Sequence, residues 1–364
     1  MTGLPELLAA AGLRGRGGAN FPTAAKLELA ARHRAELIVN ACDGEWDSAK
    51  DAWVVAHHLP EVLDGARRVT AQRVRVAAHR GSRTLAVLEA AGVDTLAVPR
   101  RYVSSEESAL VRLAHGGPAR PVMRFEPITG GGRDPRGRRL APTLVLNVET
   151  VWRIQQLAEY GPGWFRSYGT ADEPGPRLVT VADGVRDPGV HAAEAGLPVS
   201  EILDRAGGLT TSPQALWVNG LSGGFLPAEA RHTLWSRSAL APFGLGTGVG
   251  TFRVLAAGSD PWQVVLSALT YAAGESAGQC GPCMFGLPAL RDDLSDLLER
   301  RAPAETAERL LRRLARVPGR GACRFPDGVA RFLASALDVF GTSLLVESLG
   351  RERFSAHNKD GSCP

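Results

Sequence analysis

The sequence predicts an α/β unit with a largely parallel sheet, then a small β-rich unit, then a helical bundle. Three observations predict it. β-branched runs alternate with helix-like stretches up to about residue 160. Short strands separated by Gly and Pro turns occupy Pro174 to about Gly258. From Asp260 to about Glu347, apolar residues recur at three- and four-residue spacing, as in LRDDLSDLLERR and AERLLRRLARV.

The elements follow in order. A short helix-like opening precedes the glycine-rich run Leu13 to Thr23. Ala24 to Arg34 reads as a helix, and Glu36 to Asn40 (ELIVN) as a buried strand centred on Ile38 and Val39. Helices are expected over Asp51–Ala66 and Ser82–Ala91, and strands over Val74–Ala78 and Leu96–Val98. The Gly/Arg-rich stretch 129–140 reads as an exposed loop, Thr143–Asn147 as a strand and Val148–Tyr160 as a helix. The middle unit has strands in 178–184, 216–220 and 252–258. Its helix, Val199–Arg205, stops at Gly207-Gly208. Asp260 is the expected N-cap and Pro261 the first-turn residue of the bundle's first helix. The expected boundaries are 1–172, 173–257 and 258–364, with no internal repeats.

Composition excludes several classes. Apolar residues make up 44% of the 364, yet none of their runs approaches the roughly 18 residues of a membrane span. Met1 to Leu13 lacks the basic start and long apolar stretch of a signal peptide, so a soluble, cytoplasmic protein is expected. A net charge of +4 with scattered basic residues argues against nucleic-acid binding. Only Lys26, Lys50 and Lys359 are lysines among 42 basic residues. Arginine-favouring codons explain this, or each lysine stands where a compact ammonium is needed.

Five motifs carry chemistry. In Arg14-Gly-Arg-Gly-Gly-Ala-Asn-Phe-Pro-Thr23, followed by Lys26, glycines let backbone N–H groups approach an anion, and the next helix adds its positive end. In Ile38 to Asp51, the residues Asn40, Asp43 and Glu45 follow a buried strand, where open α/β sheets bind ligands. A solvated turn is the competing reading. Tyr102 to Leu110, with Glu106 and Glu107, and Leu146-Asn-Val-Glu-Thr150 are uninformative alone. The last motif, Glu275 to Cys283, places Cys280 and Cys283 in a Cys-x-x-Cys pair with Cys323 forty residues on. Thiolates so spaced suit an iron–sulfur cluster; a zinc site or unligated buried thiols are the alternatives.

Taken together and in this order, these motifs resemble the NADH-oxidising flavoprotein subunits of complex I and their relatives in NAD-linked hydrogenases and formate dehydrogenases. The resemblance runs from about residue 11 to 340. It implies an α/β flavin-binding domain, a β-grasp (ubiquitin-like) module around GLPVSEILDRAGG, and a helical iron–sulfur bundle. It implies that Gly15, Arg16, Gly17, Gly18 and Lys26 hold the FMN phosphate, and that Asn40, Asp43, Asn147 and Thr150 complete the flavin pocket. Phe21 would stack on the nicotinamide-nucleotide side, and Glu45 and Glu107 would contact NAD(H). Cys280, Cys283 and Cys323 would ligate a [4Fe–4S] cluster.

The chain departs from the family pattern at several positions. Ala277 replaces the first cluster cysteine. Cys363 in the polar tail is the candidate fourth ligand; His357, water or a three-iron cluster are the alternatives. Asn20, Cys42, Ser105 and Leu146 replace family residues, and Leu27 and Leu29 stand where an aromatic is expected. Pro118 to Arg124 replaces a lysine-bearing stretch. The implied function is passage of electrons from NAD(P)H through FMN and the cluster to a ferredoxin-like or membrane-reductase partner, at the inner face of the membrane through that partner. A relay without NADH binding and a non-catalytic assembly subunit are the alternatives.

Overall fold

A computed structural model gives the fold. It describes residues 3–123, 127–134, 136–299 and 305–341. The first unit comprises α1 (Leu4–Ala11), α2 (Thr23–His33), β1 (Glu36–Asn40), α3 (Lys50–Val69), β2 (Val74–His79), α4 (Arg83–Ala90), β3 (Thr95–Val98), α5 (Glu107–Ala114), β4 (Gly132–Arg133), β5 (Arg139–Leu140), β6 (Thr143–Asn147) and α6 (Val148–Arg166). Strands β3-β2-β1-β6 form one sheet, parallel throughout. The alternation in β1 explains why it is central. Leu37 and Val39 enter the core beneath α3 and α6, whereas Ile38 faces the other side with Leu110 and Val111 of α5. With both faces covered, the strand is apolar at consecutive positions, as parallel strands require.

The helix begun at Val148 breaks after Tyr160, as expected; Gly161, with φ +79° and ψ 169°, interrupts it, and a second helical segment, counted here in α6, follows from Pro162 to Arg166. One expectation is corrected. The stretch 129–140 is not a plain exposed loop. Thr129 and Leu140 are buried, β4 and β5 pair antiparallel, and buried Asp134 accepts from the backbone N–H groups of Arg136 and Arg138.

The middle unit holds β7 (Pro176–Asp183), β8 (Gly189–Glu194), α7 (Val199–Arg205), β9 (Pro213–Val218), β10 (Gly224–Pro227), α8 (Arg237–Leu240) and β11 (Thr251–Ala256). Its sheet has the order β10-β9-β11-β7-β8; β11 and β7 are parallel and the other pairs antiparallel. In β9, Leu216 and Val218 face the core shared with α7, and Ala215 and Trp217 face the helical bundle. This period of two fastens the sheet to its neighbour.

The bundle comprises α9 (Pro261–Gly274), α10 (Leu287–Leu298), α11 (Thr306–Arg316) and α12 (Phe325–Phe340). Asp260 caps α9 by accepting from the Trp262 N–H at 2.9 Å. A π-helical turn, Pro282–Gly286, joins the cysteine pair to α10. No helix among the described residues is long and apolar enough to cross a membrane.

Candidate active site

A cavity of about 850 Å³ opens at the carboxyl ends of β1 and β6, within the usual size range for small-molecule sites. Asn40 and Asn147 end these strands in register. Asn147 caps α6 through the Glu149 N–H at 3.1 Å and donates to both oxygens of Asp51 at 2.9 Å. Asn40 donates to the Ser105 carbonyl at 3.0 Å, which ties the strand to the acidic helix start. There Glu106 caps α5, accepting from Ser108 and Ala109, and burial raises its carboxyl above the ordinary value.

The glycine-rich run forms the second wall. Gly15 N–H donates to the Phe21 carbonyl at 2.9 Å, and Arg16 N–H to Thr150 Oγ1 at 2.8 Å. A Cβ at Gly17 would lie 3.2 Å from Asn147 Cβ, and one at Gly18 would lie 3.0 Å from Val249 Cγ1. Gly18 also has φ +98°, a conformation that only glycine adopts freely. Thr23, at the start of the 11-residue α2, lines the cavity with its hydroxyl buried and without a partner among the described residues. An orphaned hydroxyl at the positive end of a helix fits a phosphate.

Five expected site residues are engaged by the protein itself. The Arg16 guanidinium turns away from the cavity, donating to the Pro174 and Pro176 carbonyls at 3.0 and 3.3 Å. Arg16 therefore takes part in the loop through its backbone, and its guanidinium is not among the groups that line the cavity. Lys26 pairs with Glu107 at 2.9 Å, and its ammonium lies 6.0 Å from the Phe21 ring centroid. Glu45 accepts four hydrogen bonds, from Trp46 N at 2.8 Å, Leu221 N at 2.9 Å, Ser222 N at 3.1 Å and the Tyr102 hydroxyl at 2.6 Å. Asp43 is not in a solvated turn. Its carboxylate heads α3, accepting from Asp51 N, Ala52 N and Ser48 Oγ.

Sequence reasoning missed three parts of the lining. Lys50 is buried, with its ammonium 2.8 Å from Asp51, 3.2 Å from Glu149 and 3.2 Å from Asn147 Oδ1. Its carboxylate neighbours outweigh burial and raise its pKa. Its place among only three lysines was the available signal. The run Gly244-Leu-Gly-Thr-Gly-Val-Gly250 forms another wall, held by Asn219, which donates to Gly246 O and accepts from Gly250 N. Arg324, Phe325 and Arg331 close the cavity from the bundle, together with Cys323.

Cys280, Cys283 and Cys323 pack in one apolar cluster with Ala277. Burial and the neighbouring thiols push Cys283 up to about 12, and burial pushes Cys323 up to about 11. Among the described residues, no three His, Cys, Asp or Glu side chains are grouped closely enough to hold a single metal ion. Three soft donors on one apolar wall suit an iron–sulfur group. Cys363 and His357, the candidates for a fourth ligand, lie outside the described residues, as does Lys359.

Comparison with known proteins settles the relationship. Residues 8–156 match the Nuo51 FMN-binding domain, and residues 263–346 match the NADH-ubiquinone oxidoreductase-F iron–sulfur binding region. The chain is a divergent member of the family of complex I flavoproteins. It is similar to an NADH-quinone oxidoreductase component of Rhizobium meliloti, at 25% identity over 99% of this chain and 89% of that protein. It is also similar to the alpha chain of the NAD-reducing hydrogenase HoxS of Cupriavidus necator, at 28% identity over 75% of this chain and 48% of that one. A crystal structure of NAD+-reducing [NiFe]-hydrogenase in the H2-reduced state superposes with a TM-score of 0.83 at 26% identity, covering 99% of this chain and 66% of that chain. The two family regions supply opposite walls of the one cavity, Gly15 to Thr23 and Cys323.

Proposed function

We propose that the chain is a flavin- and iron–sulfur-dependent oxidoreductase that takes electrons from NAD(P)H and passes them to a ferredoxin-like or membrane-reductase partner. The observation that carries this reading is the shared cavity. Cys323 lines the same space as Gly15, Gly17, Gly18 and Asn147, so one pocket serves both cofactors. The loop around Gly17 and Gly18, the Thr23 hydroxyl and the start of α2 would hold the FMN phosphate, while Gly15 and Arg16 shape that loop through their bonds to Phe21 and Thr150, and Asn40, Asp43, Asn147 and Thr150 would complete the flavin pocket. Cys280, Cys283 and Cys323 would hold the cluster. A bound flavin converts hydride transfer into single electrons, which no side chain of the protein can do. The side chains orient and insulate: Glu106 and Asp43 fix helix starts at the rim, and Tyr102, stacked on Phe325 at 4.5 Å, closes the bundle side.

The middle unit is read as a β-grasp module within 173–257, between a flavin domain over 1–172 and a cluster domain over 258–364. Two central parallel strands flanked by antiparallel neighbours, with one helix across a face, support this. Cytoplasmic placement, at the membrane only through a partner, belongs to the same reading.

A relay that does not bind NADH is the second reading, and the engaged states of Glu45 and Glu107 favour it. Anaerobic titration decides between them. NADH should bleach the flavin absorbance of the purified protein. Bleaching by dithionite but not by NADH or NADPH selects the relay, and a colourless protein refutes both.

A further inference from the structure

The bundle leaves two large apolar side chains in solvent beside its cysteines. Met284 and Phe285 directly follow Cys283 and are 46% and 70% exposed. A second segment is brought to the same place. Arg309 pairs with Asp293 at 2.8 Å, and Arg313 donates to the Ala289 carbonyl at 3.3 Å, so α11 runs antiparallel to α10 and ends beside its start. A Cβ at Gly286 would lie 2.9 Å from Val317, which sets the π-turn against the segment after α11.

That segment is basic. Residues 309–324 contain six arginines and no acidic residue. Arg309 and Arg313 are used by Asp293, Arg312 by Glu308 and Arg324 by Asp327. Arg316 and Arg320 are exposed and have no ion pair among the described residues. Arg324 still presents 90% of its side chain to solvent. In the chain Cys323 lies between Arg320 and Arg324, as Met284 and Phe285 follow Cys283, so the apolar pair and the basic segment each adjoin a cysteine.

We propose that this face docks a small one-electron carrier protein whose acidic surface surrounds an apolar centre. The proposal rests on the flavin and iron–sulfur reading above. Three arguments favour this occupant. Free arginines around an apolar pair complement an acidic rim and steer its approach. The contact lies next to all three cysteines, where an electron would leave by the shortest route. A second copy meeting this face across a two-fold axis would set arginine against arginine.

The test uses the full-length holoprotein with an acidic [2Fe–2S] ferredoxin as probe. Binding is measured by calorimetry in the oxidised state without NADH, over a salt series, and NADH–ferricyanide turnover is followed in parallel. Wild-type protein should bind ferredoxin with affinity that falls as salt rises. Arg316→Glu with Arg320→Glu should weaken binding about tenfold or more, with ferricyanide turnover unchanged. Phe285→Ser should weaken it at every salt concentration. These residues are exposed, so an unchanged cofactor spectrum verifies folding. Ferredoxin affinity indifferent to both changes overturns the proposal. So does binding of the wild type to phosphatidylserine vesicles in place of ferredoxin, or dimerisation abolished by Phe285→Ser. Absent ferricyanide turnover in the wild type would count against the NADH reading alone, because the ferredoxin isotherm needs no NADH.

Discussion

Asp43 accepts three hydrogen bonds at the head of α3, yet burial, and then Asp51, push its carboxyl up to about 6. Between the ordinary value of 3.8 and about 6 the folded chain therefore holds a proton that the unfolded chain releases. Stability of the cofactor-free protein should then fall as pH rises through this window. Denaturant unfolding at pH 4 to 7 should show that slope, and Asp43→Asn should flatten it; an equal slope in the variant would place the titration elsewhere. Gly17 makes a simpler demand. Its missing Cβ leaves 3.2 Å to Asn147, so Gly17→Val should fill the approach to the cavity. Retained flavin per chain should fall about tenfold, roughly 1.4 kcal/mol of binding, with little change in thermal midpoint. A variant that keeps its flavin would reduce the loop to a turn. At this scale the sequence was legible in type and incomplete in place. Gly15 to Gly18 and Asn40 stand in motifs that suggest a ligand site by themselves, whereas Asn147 was reached only through the family resemblance. The saturation of Glu45 could not, because its partners Leu221 and Ser222 lie about 176 residues away.

Helices α3 and α6 cross beneath the parallel sheet at Gly65, where a Cβ would run into the Val151 carbonyl oxygen. Gly→Ala inside a helix ordinarily stabilises by up to about 1 kcal/mol. Here overpacking should win, and Gly65→Ala should cost about 1–3 kcal/mol in chemical denaturation. A stabilised variant would show that the two helices can separate without cost. Element boundaries were read best where chemistry is local. The limits of β1, β6 and α7 follow from β-branched runs and glycine stops, and the start of α9 from Asp260. They were missed where the context is distant. The extension of α6 past Gly161 is secured by Phe165, buried in the core beneath the sheet, and the 132–140 hairpin by the burial of Asp134. The sheet order β10-β9-β11-β7-β8 could not be read at all, since strand periodicity does not specify neighbours.

Polar side chains join the first and middle units. Arg253 holds Asp47 with two bonds at 2.7 and 2.8 Å, and Glu45 fastens the β1–α3 loop to the turn before β10. Glu173 braces the middle unit and reaches the glycine-rich loop. It accepts from Thr247 Oγ1 at 2.8 Å and from Arg237 N at 2.6 Å, pairs with buried Arg177 at 3.4 Å, and accepts from Asn20 Nδ2 of the first unit at 3.5 Å. Glu173→Gln should leave the Arg177 charge uncompensated and cost about 3 kcal/mol or more. The same change should loosen the 244–250 wall, so flavin dissociation should quicken along with unfolding. Thermal unfolding and flavin release in one sample check this; destabilisation without faster release would confine Glu173 to holding the fold.

The cavity also has a history in time. Its floor, the glycine loop near residue 18, is synthesised first, and its last wall, at Cys323 to Arg331, follows about 300 residues later. At typical translation rates that interval is roughly 15 to 60 s. A nascent chain therefore carries a half-built pocket exposed on one side. The finished pocket comes into being only once the bundle has emerged and its Cys323 to Arg331 wall has met the loop.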